Sequence, residues 1–114
     1  MKTPLKSIHL LEKFELNSSV ISSKPFELTE IFNGQRRRLL VIKLINGEVL
    51  KKHQAIEPIT VLCLAGRGVF KAGVDLAEEV NLEAGTLLTL ESNVPHEIIA
   101  KPALKLLVTK FKQN

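Results

Sequence analysis

The sequence predicts an all-β fold of packed antiparallel sheets, and three observations support this prediction. Runs rich in Val, Ile and Leu recur after residue 26, at 39–45, 59–65, 86–90 and 104–108, as in the strands of a packed sheet. Turn residues separate these runs at a spacing that favours a sandwich or barrel over alternating strands and helices. No stretch after residue 26 carries the apolar stripe of a long helix. We therefore expect about eight or nine short strands.

Taken in chain order, each run ends at a turn signal. The signals are Asn33-Gly34, Asn46-Gly47, Gly66-Arg67-Gly68, Ala72-Gly73, Ala84-Gly85 and Ser92-Asn93. We interpret Gly66-Arg67-Gly68 as a hairpin turn, because no helix follows it that could form an anion site. Before residue 26 two interpretations stay open: a helical turn around Leu10, Leu11 and Phe14, or an edge strand over residues 8–16 exchanged with a partner.

Length and composition predict one globular domain. The chain has 114 residues, of which 45% are hydrophobic and 25% charged, which suffices for one core but not two. We predict a single domain over 1–114, with its core at 38–111 and an N-terminal segment of uncertain structure at 1–25. A lone cysteine, Cys63, and a start without the apolar run of a signal peptide or membrane span predict a cytoplasmic protein with no membrane partner.

The net charge of +4 raises the question of an anionic partner. The one dense basic run is Arg36-Arg37-Arg38, and the chain has no Trp or Tyr to stack on bases. We interpret the run as a solvated turn and the start of a strand, and expect no nucleic-acid partner.

The run at 39–45 is apolar at both alternating sets of positions. Leu39 and Val41 would face one side of a strand, and Leu40, Ile42 and Leu44 the other. Neither face of such a sheet is polar, so one face must be covered by something other than water. A second copy of the chain is the simplest cover, and we predict a homodimer.

Two segments, Gly47 to Gly66 and Gly85 to His96, carry a motif pair. The pair resembles that of the cupin family, written G-x5-H-x-H-x3,4-E-x6-G and G-x5-P-x-G-x2-H-x3-N. Residues at matching positions are Gly47, His53, Gly66, Gly85 and His96. The resemblance covers about residues 38–111 and implies a cupin jelly roll, a barrel of antiparallel sheets with a pocket at one open mouth.

Departures from the motifs bear on metal binding. Ala55 stands in place of the second histidine and Ile59 in place of the glutamate; Glu91, Asn93 and Ala100 replace the proline, the glycine and the final asparagine. The resemblance leaves His53 and His96 as candidate ligands for a weakly held Zn, Ni, Fe or Mn ion. Glu57 and Cys63 could complete a site, but an exposed loop carboxylate and an inert core thiol are the simpler interpretations.

Strand alternation predicts the wall of the pocket around the two histidines. The predicted lining residues are Ala55, Glu57, Ile59, Val61, Cys63, Ile98 and Ala100.

No nucleophile elbow, phosphate loop or dinucleotide motif is present in the sequence. We expect a stand-alone protein that binds a small organic ligand, rather than an enzyme. The alternative is a metal-dependent cupin oxygenase or isomerase, and a weaker third hypothesis is an anion or nucleic-acid contact through Arg36 to Arg38.

Overall fold

The computed structural model describes residues 4–113, and these form seven strands and no helix. The strands are β1 (Phe26–Asn33), β2 (Arg37–Leu44), β3 (Val49–His53), β4 (Ile59–Ala72), β5 (Glu78–Leu82), β6 (Leu87–Leu90) and β7 (His96–Phe111). All pairings between them are antiparallel. The prediction of an all-β antiparallel fold is confirmed.

Strands β4 and β7 organise the molecule because each belongs to two layers. In the first layer, the first half of β4 pairs with the last half of β7, and the strand order is β1-β2-β7-β4-β6. In the second layer, the last half of β4 pairs with the first half of β7, and the strand order is β3-β7-β4-β5. Counting both halves of the two long strands accounts for the eight or nine strands expected from the sequence.

The two layers share one core. Leu40, Ile42 and Val61 of the first layer belong to the same buried cluster as Phe70 and Ile98 of the second. At the bend between the layers Leu44 and Leu104 have no exposed surface. Burial of each such leucine stabilises the fold by about 1.5–3 kcal/mol.

The interpretation of Gly66-Arg67-Gly68 as a hairpin turn is wrong, because these residues lie inside β4, where the strand bends from one layer to the other. A Cβ on Gly66 would overlap the Ala103 carbonyl oxygen, and a Cβ on Gly68 the Ile99 carbonyl oxygen. The glycines therefore allow β7 to approach closely, and the chain continues without reversing.

Residues 4–25 form neither of the two structures left open by the sequence, as they have no helix and no paired strand; residues 1–3 lie outside the described part of the chain. The segment runs over the outer side of the first layer. The His9 ring lies 5.2 Å from the Phe32 ring, and the Lys105 ammonium lies 5.2 Å from the centre of the Phe14 ring. The Asn17 amide donates a hydrogen bond to the Leu64 carbonyl. Part of the apolar face is thus covered by the same chain.

Within residues 4–113 no helix is long and apolar enough to cross a membrane.

Candidate functional site

The two motif histidines are direct neighbours. His53 ends β3 and His96 begins β7, and the antiparallel pairing of these strands places the two residues opposite each other. Their ring centroids are 4.1 Å apart, with the ring planes at 60°. Residues 43 positions apart along the chain therefore present two imidazoles at one point.

The loops that carry the histidines are tied together by backbone hydrogen bonds. The Asn93 amide donates to the Ala55 carbonyl at 2.8 Å, and the Gly73 amide donates to the Pro95 carbonyl at 3.0 Å. Asn93, which stands where the motif has glycine, adopts a φ of 63°. Asn enters this left-handed region more readily than other non-glycine residues, so the turn keeps its shape.

Each imidazole is oriented by a backbone carbonyl. The His53 Nδ1 lies 3.0 Å from the Lys51 oxygen, and the His96 Nδ1 lies 3.1 Å from the Val94 oxygen. A carbonyl can only accept, so in each neutral ring Nδ1 carries the proton and Nε2 carries the lone pair. Both Nε2 atoms are thus set as acceptors toward a hydrogen-bond donor.

The two histidines differ in their surroundings. His96 is only 4% exposed and stacks on the Phe70 ring, with centroids 5.5 Å apart and planes within 8°. Burial lowers the pKa of His96 below its ordinary value of 6.5; the Val94 carbonyl opposes this shift, whereas His53 and Lys110 add to it. His96 is therefore neutral at pH 7, while His53 is exposed to solvent.

The imidazoles form the polar end of a cavity of about 130 Å³ between the two layers. Apart from His53, His96 and Lys110, its lining is apolar. The apolar lining consists of Phe26, Leu28, Leu40, Ile42, Leu50, Ala55, Ile59, Val61, Ile98 and Val108. An apolar chamber with a few polar groups at one end is typical of small-molecule sites.

Four of the seven residues predicted to surround the histidines line this cavity: Ala55, Ile59, Val61 and Ile98. Glu57, Cys63 and Ala100 are not among the lining residues. β3 ends at His53 and a bend follows at 56–57, so strand alternation does not extend to Glu57. Cys63 and Ala100 do face inward, but they lie deeper in the core, at 0% and 2% exposure.

Sequence reasoning missed the contributions of β1, β2 and the end of β7. Lys110 is the chemically important omission. It lies directly opposite Ile59 of β4, on the same side of β7 as Val108 two residues earlier. Counting alternate residues onward from Leu104 would have placed Lys110 on the inner face.

The donor set does not fit a resident metal ion. Within residues 4–113 no three His, Cys, Asp or Glu side chains come together in a group that could hold one. Burial raises the pKa of the Cys63 thiol, which disfavours the thiolate that binds metal. The two imidazoles and the Lys110 side chain in the cavity lining supply no negative charge to offset a divalent cation.

The arginine run makes contacts of its own. Arg38 pairs with Glu30 at 2.7 Å and holds the pKa of that carboxyl below its ordinary value. The Arg37 guanidinium lies 4.8 Å from the centre of the Phe32 ring. Neither contact belongs to the cavity.

Solved structures with a similar architecture include small cupin proteins. A cupin superfamily protein from Desulfitobacterium hafniense matches with a TM-score of 0.73 at 13% identity, covering 90% of this chain and 100% of that one. An RmlC-like cupin protein from Desulfovibrio desulfuricans matches with a TM-score of 0.69 at 21% identity, covering 94% and 96%. The chain has the cupin fold.

Other structures with this cupin fold differ in what is known of them. A conserved protein of unknown function from Streptococcus pyogenes matches with a TM-score of 0.72 at 15% identity, over 96% of this chain and 99% of that one. The DMSP lyase DddQ from Ruegeria pomeroyi matches with a TM-score of 0.71 at 17% identity, over 78% of this chain but 48% of that one. No family model and no curated protein matches the sequence. Identities this low support the fold alone.

Proposed function

We propose that this cupin-fold protein binds a small, mainly apolar organic molecule in the cavity between its layers. One observation carries the proposal: the paired imidazoles stand at the polar end of a cavity of about 130 Å³ with apolar walls. A cavity of comparable size in an engineered protein holds benzene, so the ligand has about six to eight non-hydrogen atoms. A hydroxyl or amide on the ligand would donate to an Nε2 atom.

Titration with phenol and benzyl alcohol, followed by NMR of methyl groups and histidine rings, tests the proposal. We expect shifts at Leu28, Val61 and both histidines, and loss of binding in Ala55→Phe, which fills the cavity from a half-buried wall position. The control Leu87→Ala removes a side chain that is 65% exposed and lies outside the cavity lining. Shifts that are absent, or that persist unchanged in Ala55→Phe, would show that the cavity is not the binding site.

The alternative is a metal-dependent enzyme in which His53 and His96 hold the ion. Such an enzyme needs more protein ligands than two imidazoles to retain iron, manganese, nickel or zinc. Elemental analysis of untagged protein purified without chelator distinguishes the two. Stoichiometric metal that is lost in His53→Ala and in His96→Ala would favour the enzyme, whereas we expect far less than one ion per chain.

The protein acts as a homodimer in this proposal, with the N-terminal segment in the interface. Ile8, Leu10, Leu16 and Ile21 are each 61–79% exposed although the segment lies against its own chain. The segment also carries both signs of charge: among residues 4–25 these are Lys6, Lys13 and Lys24 against Glu12 and Glu15. A nearly neutral apolar strip suits a self-complementary contact between two copies.

Sedimentation equilibrium at about 10 μM tests the dimer, since interfaces of standard size hold at this concentration. We expect twice the chain mass of 12.7 kDa for the unaltered protein and the single-chain mass for Leu10→Lys. Val74→Lys is the control, because Val74 is 81% exposed in the connection between β4 and β5. A single-chain mass for the unaltered protein would overturn this part of the proposal.

A further inference from the structure

Among the described residues that line the cavity, Lys110 is the one Lys, Arg, Asp or Glu. Lys110 lies near the last residue of β7, opposite Ile59 in the first layer. His96 is the first residue of β7 and lies opposite Ala72 in the second layer. The two ends of β7 thus bring an ammonium and an imidazole to one chamber. Their proximity is also visible in the positive charge of Lys110, which contributes to the lowered pKa of His96.

No acidic side chain in residues 4–113 forms an ion pair with Lys110. The two acids of β1 have other partners, since Glu30 pairs with Arg38 at 2.7 Å and Glu27 lies 3.9 Å from Lys43. The cavity lining contains no Asp or Glu. The half-buried Lys110 thus lines a largely apolar cavity without a carboxylate partner among the side chains of residues 4–113.

We propose, on the basis of the proposed function, that the ligand is a small organic carboxylate with an apolar body. Its carboxylate pairs with the Lys110 ammonium, and its body of about six carbons fills the space beside Leu40, Val61 and Val108. A neutral molecule of equal size would leave the ammonium without a counter-ion.

Benzoate and its neutral isostere benzamide test this assignment, by NMR titration at pH 7 and low salt. We expect benzoate to bind about tenfold more tightly than benzamide, as a charge-assisted hydrogen bond in a partly buried site does. Lys110→Met should abolish the difference by weakening benzoate about tenfold, with benzamide changed by less than about twofold. Lys110→Arg should keep the preference for benzoate.

The matched control is Lys105→Met, which removes the same charge from the opposite side of the same strand, where Lys105 lies over the Phe14 ring. It should leave the ratio of the two affinities unchanged. Equal binding of benzoate and benzamide, or a preference that survives Lys110→Met, overturns the carboxylate while the proposed function stands. If phenol, benzyl alcohol, benzoate and benzamide all fail to bind, the proposed function itself is wrong.

Discussion

Replacement of Gly66 by alanine is expected to be among the most destabilising small changes in this chain. Gly66 has a φ of 85°, where a side chain is strained by about 1–2 kcal/mol. The added Cβ would also overlap the Ala103 carbonyl oxygen and lie 2.8 Å from its carbon and 3.0 Å from Leu104 Cα. All three atoms are backbone, so they cannot rotate away, and overpacking adds about 1–3 kcal/mol. We expect a loss of about 2–5 kcal/mol in the free energy of unfolding.

Gly85→Ala is the matched control for this prediction. Gly85 has a φ of 97°, but nothing lies within 4 Å of its added Cβ, so only the backbone strain of about 1–2 kcal/mol applies. Urea unfolding followed by circular dichroism gives both free energies, and the melting temperature should fall by roughly 4 °C for each kcal/mol. Equal losses in the two variants would refute the argument that β7 approaches β4 too closely for a side chain.

Three further outcomes follow from the site. Burial lowers the pKa of His96, so as the pH is lowered from 7.5 to 5.5 the unfolded chain takes up a proton on residue 96 before the folded chain does. The free energy of unfolding should therefore decrease as the pH is lowered, by up to about 1.4 kcal/mol per pH unit from this group. In His96→Gln the fall, measured by urea unfolding at each pH, should be smaller; an identical slope would contradict the assignment. The buried Cys63 thiol, whose pKa is raised, should react with a disulfide reagent only after unfolding in guanidinium, and rapid reaction of the folded protein would show that it is accessible. Ala55→His adds a third imidazole to the cavity wall, and calorimetry should show Zn²⁺ binding at least about tenfold tighter than in the unaltered protein, an increase that His53→Ala would remove.

Local signals in the sequence were sufficient for most of the fold. Asn46 and Gly47 both have positive φ, at 57° and 71°, as a tight turn between β2 and β3 requires. The same kind of signal misled at Gly66-Arg67-Gly68. Two glycines so close together are equally consistent with a turn and with the close approach of another strand. The pairing with β7, more than thirty residues later in the chain, decides between the two, and a local sequence signal does not contain it.

Alternation along strands predicted which face a residue takes, but not how deep it lies. Ile59 and Val61 line the cavity, whereas Cys63, two residues further along the same face, is fully buried in the core. Lys110 was missed for a different reason. The alternation in β7 is interrupted only at Pro102 and resumes at Leu104, so a count in steps of two from His96 does reach Lys110. The pocket prediction followed β7 no further than Ala100.

The two departures from the cupin motifs and the position of Lys110 are chemically consistent with each other. Ala55 and Ile59, which replace the second histidine and the glutamate, both line the cavity and contribute only hydrocarbon. The loss of the carboxylate removes the negative charge that a divalent cation needs beside it. It also removes the acid that would pair with the ammonium of Lys110, which lies opposite Ile59. A glutamate at 59 would stand directly across the strand pair from Lys110 and could form an ion pair with it. The substitution that weakens a metal site therefore leaves a positive charge to attract an anion.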